Sequence, residues 1–123
     1  MGIMRYLLDT NSIIYILNQN LILKNSNEYH ISIITEIELL SYSKLTLLEI
    51  DEIKKVLSKF NRIELTETVK DKTIMIRRKS KIKLPDSIII ASTLYYQATL
   101  ITNDQQLIKT NLVTSQLIET ILL

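Results

Sequence analysis

Apolar residues along this chain gather in short blocks, and between them they recur at helical spacing. The first block, Arg5 to Leu8, stops at Asp9 and predicts a short buried strand. A helix is expected from about Thr10 to Leu17, where Ile13, Ile14 and Leu17 share a face and Asp9, Thr10 and Asn11 supply capping types. The Asn-rich stretch Asn18 to Tyr29 reads as a loop or a frayed helix end. His30 to Ile34 predicts a second strand, after which Thr35 is expected to cap a helix to about Ser43. Ile50, Ile53 and Leu57 mark one face of a helix over roughly Glu49 to Lys59.

Arg62 to Leu65 is the third strand candidate. A long helix is expected over about Glu67 to Lys81, and Pro85 breaks its pattern. Asp86 then opens a helix reaching about Gln97. Leu100 to Thr102 reads as a fourth strand, followed by a short helix through Ile108. Leu112 to Thr114 suggests a fifth strand, and Gln116 to Leu123 is apolar at helical spacing, with a short strand as the alternative. Strands alternating with helices imply an α/β fold with three layers, α/β/α, around a central, mostly parallel sheet. No repeat or linker divides the chain, so one domain over residues 1–123 is expected.

Composition narrows the chemistry. Cysteine is absent, which excludes disulfides, zinc–thiolate centres and cysteine nucleophiles. Glycine and proline occur once each, at Gly2 and Pro85, so no glycine-rich phosphate loop can be written. The net charge of +2 is too small to argue for nucleic acid. No apolar run has the length of a membrane span, and the amino terminus lacks a signal-peptide layout; a cytoplasmic protein with no membrane association is expected.

Of the thirteen acidic residues, four lie in apolar company: Asp9 after Tyr6-Leu7-Leu8, Glu38 beside Leu39-Leu40, Asp86 before Ile88-Ile89-Ile90, and Asp104 past Leu100-Ile101-Thr102. Asp9 and Asp104 fall at the carboxyl ends of strands, the edge at which open α/β sheets bind ligands. Carboxylates gathered there repel one another, and a divalent cation relieves that. An all-oxygen donor set suits Mg²⁺ or Mn²⁺ and metal-assisted attack of water on a phosphodiester. Each acid also has a plain structural reading: Asp9 and Asp86 as helix caps, Asp104 as a turn residue, Glu38 on a solvated face. Glu36 and Glu38 are separated by about 200° on a helix, so both cannot serve one site, and spacing does not choose between them.

The segments Leu7-Leu8-Asp9-Thr10-Asn11-Ser12, Ile31 to Leu39, Leu84 to Ser92, and Leu100-Ile101-Thr102-Asn103-Asp104 together resemble PIN-domain ribonucleases, and in particular VapC-like toxins of type II toxin–antitoxin pairs. The resemblance spans essentially the whole chain. It implies that Asp9, Glu38, Asp86 and Asp104 form the catalytic, metal-binding set, with Glu38 preferred to Glu36, and that the protein is an Mg²⁺- or Mn²⁺-dependent endoribonuclease. It further implies an RNA substrate, a cognate protein antitoxin and a homodimer with an aliphatic interface. Many members carry another acid shortly after the fourth; Gln105 and Gln106 stand there, so a second ion is expected to bind weakly or only with RNA present.

In that family, polar neighbours of the acids hold metal-bound water or orient carboxylates, roles that fall to Asn11 and Thr102; capping and turn chemistry is the alternative for both. The basic stretch before Asp86 offers Arg77, Arg78 and Lys81 for RNA phosphates, against the plainer reading of a solvated helix face. His30, the single histidine, reads as a surface or strand-edge residue rather than a base. Two alternatives of other classes stand beside the nuclease: a non-catalytic PIN-like scaffold that binds RNA or protein, and a receiver-like signalling domain with aspartates at strand ends.

Overall fold

The computed structural model describes residues 3–123. Five parallel strands form one sheet in the order β3-β2-β1-β4-β5. They are β1 (Arg5–Leu8), β2 (Glu28–Ser32), β3 (Asn61–Ile63), β4 (Thr99–Ile101) and β5 (Ser115–Gln116). The helices are α1 (Thr10–Gln19), α2 (Ile33–Leu40), α3 (Leu47–Leu57), α4 (Glu67–Lys79), α5 (Leu84–Tyr95) and α6 (Gln105–Lys109), with a 3₁₀ turn over Ile118–Ile121. This is the expected α/β/α sandwich with a parallel centre.

Side-chain alternation in β1 divides the interior in two. Tyr6 and Leu8 point to a core with Ile13 and Ile16 of α1, Leu39 of α2, Leu57 of α3, and Ile118 and Ile121 of the 3₁₀ turn. Leu7 points the other way, to Val69 and Ile76 of α4, Ile89 and Ile90 of α5, and Leu107 of α6. The apolar run at Ile118–Ile121 is thus partly spent on the core.

Several boundaries differ from expectation. Strand β2 begins at Glu28, and helix α2 is capped by Ser32, whose hydroxyl accepts from the Ile34 amide; Thr35 lies inside the helix and is not its cap. Helix α3 starts at Leu47 behind a capping box of Thr46 and Glu49. Pro85 opens α5 rather than only ending what precedes it, because a proline in the first turn removes no intrahelical hydrogen bond. Lys83 is the N-cap position there, with no side-chain capping bond, so Asp86 is not a cap. The fifth strand is Ser115–Gln116, not Leu112–Thr114. Asn20 and Asn111 take positive φ where glycine is commonly used, in keeping with asparagine's tolerance of that region.

Candidate functional site

Asp9 is the N-cap of α1: its Oδ1 accepts from the Ser12 amide at 2.8 Å, and only 4% of the residue is exposed. Its own amide donates to the Ile101 carbonyl at 3.1 Å, and the Ser12 hydroxyl donates to the same carbonyl at 3.2 Å. The start of α1 is therefore pinned to the end of β4, where the chain enters Thr102-Asn103-Asp104.

Asp104 caps α6, taking the Gln106 amide on Oδ1 at 2.8 Å. Its approach is shaped by two side chains. The buried Thr102 hydroxyl accepts from the Asp104 amide at 3.0 Å, and Asn103 Oδ1 accepts from the Ile118 amide at 3.1 Å. Thr102 thus fixes the turn that presents Asp104. Asn11 is exposed on the first turn of α1.

Glu38 stands on α2, and its Oε1 accepts from the Thr10 hydroxyl at 2.7 Å. This directs Glu38 toward the Asp9 end of α1. Glu36, about half a turn away, is bound instead to Arg62 Nη1 at 2.9 Å, and Arg62 also pairs with Glu64. The two glutamates therefore face different neighbours, and the one beside α1 is Glu38.

Asp86, in the first turn of α5, couples the set. Burial pushes its carboxyl above the usual aspartate range, and the negative charges of Asp104, Glu38 and Asp9 push it the same way. Lys83 works against them. Asp86 thus lies within electrostatic reach of Asp104, Glu38 and Asp9 at the carboxyl edge of the sheet, with Lys83 as the opposing cation. As they lie, no three carboxylate or imidazole groups among the described residues are close enough to enclose an ion. The donor set still fits a hard divalent cation in kind. Asp9, Glu38 and Asp104 each commit one oxygen to an orienting hydrogen bond, and Mg²⁺ keeps several of its waters when bound.

Three residues outside the expected site set contribute. Thr10 and Thr35 share a 3.0 Å hydroxyl–hydroxyl contact beside Glu38, and Lys83 is the cation felt by Asp86. Of the expected basic residues, Arg77 spends one guanidinium nitrogen on the Ile82 carbonyl at 3.0 Å, bracing the turn into α5. Arg78 and Lys81 are exposed. His30 overturns its surface reading: it is 3% exposed, packed 5.0 Å from the Tyr96 ring, near the amino edge of the sheet.

A parallel α/β/α sandwich with four acids on its carboxyl edge defines a class of fold and site before any comparison is made. The PIN domain family model matches residues 6–112, and the chain belongs to that family. This sets aside the receiver-like alternative. No curated protein sequence matches significantly. Solved structures share the fold. A chain of VapBC2 from Rickettsia felis, crystallised bound to a DNA fragment from its promoter, is 22% identical with a TM-score of 0.77, covering 92% of this chain and 98% of that one. VapBC-1 from nontypeable Haemophilus influenzae gives 23% identity and 0.77 over 94% and 99%. A toxin–antitoxin complex from Klebsiella pneumoniae gives 25% and 0.68 over 82% and 88%.

Proposed function

We propose that this chain is a divalent-metal-dependent endoribonuclease and the toxin of a type II toxin–antitoxin pair. The observation that carries the reading is geometric: in a PIN fold, Asp9 and Asp104 cap the helices that follow β1 and β4, and the Thr10 hydroxyl at the Asp9 end of α1 holds Glu38 at 2.7 Å, with Asp86 in electrostatic reach of all three. Asp9, Glu38, Asp86 and Asp104 would hold the ion, with Thr102 presenting Asp104. Bound there, Mg²⁺ or Mn²⁺ supplies Lewis-acid activation of water for attack on an RNA phosphodiester. Arg78 and Lys81, and Arg77 with its remaining donors, would take up backbone phosphates.

The reading includes a protein antitoxin, a homodimer and a cytoplasmic setting. Solved neighbours described as VapBC or toxin–antitoxin complexes support the antitoxin. Exposed aliphatics support both partners: Ile37, Leu47 and Leu48 on α2 and α3, and Ile74, Met75 and Leu84 on α4 and α5. No helix among the described residues is long and apolar enough to cross a membrane.

The test is cleavage of single-stranded RNA by the purified protein with EDTA, then with excess Mg²⁺ or Mn²⁺. Cleavage that stops with chelator and returns with either ion supports the nuclease. The competing outcome is a PIN scaffold that binds without cleaving. RNA retention with no cleavage under any metal condition would establish that reading instead.

A further inference from the structure

Glu38 is an exposed glutamate on a short helix, and left to itself its side chain would sample many rotamers. It is held by a chain of hydroxyls that spans two elements. Thr10, the first residue of α1, lies 2.7 Å from Glu38 Oε1 and 3.0 Å from the Thr35 hydroxyl of α2. A threonine hydroxyl has one hydrogen to give. Glu38 is an acceptor when ionised, so the Thr10 hydrogen goes to the carboxylate. The Thr10–Thr35 contact then runs the other way, with Thr35 donating to Thr10.

Thr35 has no exposed surface, and it sits one helical turn before Glu38 on α2. Helix propensity does not favour a buried β-branched hydroxyl at that place; valine would fill the same volume. What the hydroxyl adds is direction. Receiving a bond from Thr35 fixes the Thr10 rotor and aims its hydrogen at Oε1. This turns Glu38 toward the Asp9 end of α1 and leaves Oε2 without a hydrogen bond among the described residues.

We propose that Thr35 is a positioning residue acting through Thr10, and that this two-hydroxyl relay holds the Glu38 carboxylate ready to ligate a divalent cation. The inference rests on the reading of Glu38 as a metal ligand given above. Orienting partners one step behind a ligand are worth about 10- to 100-fold in metal affinity. The relay loses one bond rather than the ligand, so the lower end of that range is expected.

The experiment measures Mn²⁺ affinity of the intact protein by titration calorimetry, with thermal melting of each metal-free variant alongside. Thr35→Val, which keeps volume and removes the hydroxyl, should weaken Mn²⁺ binding about 10-fold. Thr35→Ser should restore it, and Thr10→Val should match the loss. Thr10 lies at the partly exposed start of α1, so Thr10→Val and Thr10→Ser carry the test if Thr35→Val fails to fold. Glu38→Gln separates the two ideas. If Glu38→Gln weakens binding while the valine variants bind as wild type, the relay is overturned and the ligand assignment stands. If Thr35→Ser loses as much as Thr35→Val, the role is packing and the relay is again overturned. If Glu38→Gln binds Mn²⁺ as wild type does, the ligand reading falls and the relay with it.

Discussion

The two edges of the parallel sheet handle charge in opposite ways. At the amino edge, Glu28 opens β2 opposite Arg5 of β1, 3.9 Å from its guanidinium and 3.5 Å from His30. Arg5 also donates to the Tyr96 carbonyl at the end of α5, so charge there ties strands to helix. At the carboxyl edge, Asp9, Glu38, Asp86 and Asp104 meet with Lys83 as the one cation that registers on Asp86. An edge whose charges are matched within the fold has a structural role. An edge whose acids crowd Asp86 fits, on the reading proposed above, a cation from outside the chain. The amino edge has its own irregularity: apart from the 3.5 Å approach of Glu28 to Nε2, the buried His30 ring finds no polar partner among the described residues.

The sharpest test of that contrast is activity. Asp86→Asn should lower RNA cleavage by more than about 100-fold, since ligand loss exceeds the effect of losing an orienting partner. Glu28→Gln at the opposite edge should cleave at the wild-type rate. Equal loss in both variants, measured on one fluorogenic RNA, would erase the distinction between the edges.

Acid should also act on the edges with opposite sign. Asp86 is held above its ordinary value of 3.8, so its contribution to stability is complete below that pH and is lost as pH rises through the raised value. His30 is held below 6.5, chiefly by burial, with Glu28 opposing; its contribution is complete above pH 6.5 and is lost as pH falls through the lowered value. Melting curves in EDTA should show the advantage of Asp86→Asn over wild type growing as pH rises from acid to neutral. The advantage of His30→Phe should grow as pH falls below 6.5. Curves that stay parallel to wild type at every pH would remove the electrostatic account.

A smaller effect separates cap from ligand at Asp9. Asparagine caps helices as well as aspartate does, whereas alanine costs about 1 kcal/mol. Metal-free Asp9→Asn should melt at or above wild type, and Asp9→Ala should be less stable than Asp9→Asn by about 1 kcal/mol, or about 4 °C. Both should fail to cleave. If the two variants melt together, the Ser12 contact is not holding α1.

Much of this was legible in the sequence because burial leaves a dense signal. Tyr6-Leu7-Leu8 stopping at a carboxylate marks both a central strand and its functional end. The misreadings occur where local chemistry and pattern disagree. Ile33 and Ile34 look like strand residues, yet they form the first turn of α2, because Ser32 supplies the cap. Strand β5 is two residues, Ser115 and Gln116, paired on one side only, so no apolar block announces it. For Asp9 and Asp104, capping and candidate ligation proved compatible, since the cap uses one oxygen of two. The Thr10–Thr35 pair joins residues 25 apart on different helices, and neither helical nor strand periodicity connects them. His30 was misplaced because one histidine between Tyr29 and Ile31 carries no mark of its side-chain partner, Tyr96.

The pinning of α1 to β4 has a consequence for how the molecule comes into being. The Ser12 hydroxyl reaches a carbonyl 89 residues along the chain, and β1 has no second neighbour until β4 arrives. During synthesis, which proceeds from the amino end at about 5–20 residues per second, the first strand must wait several seconds with one flank bare. Contacts so distant in sequence also slow the folding search itself. Asp104, which follows β4, is then not yet beside the other three acids. On the reading proposed above, a ribosome making this nuclease is exposed to its activity only after β4 has emerged and closed against β1.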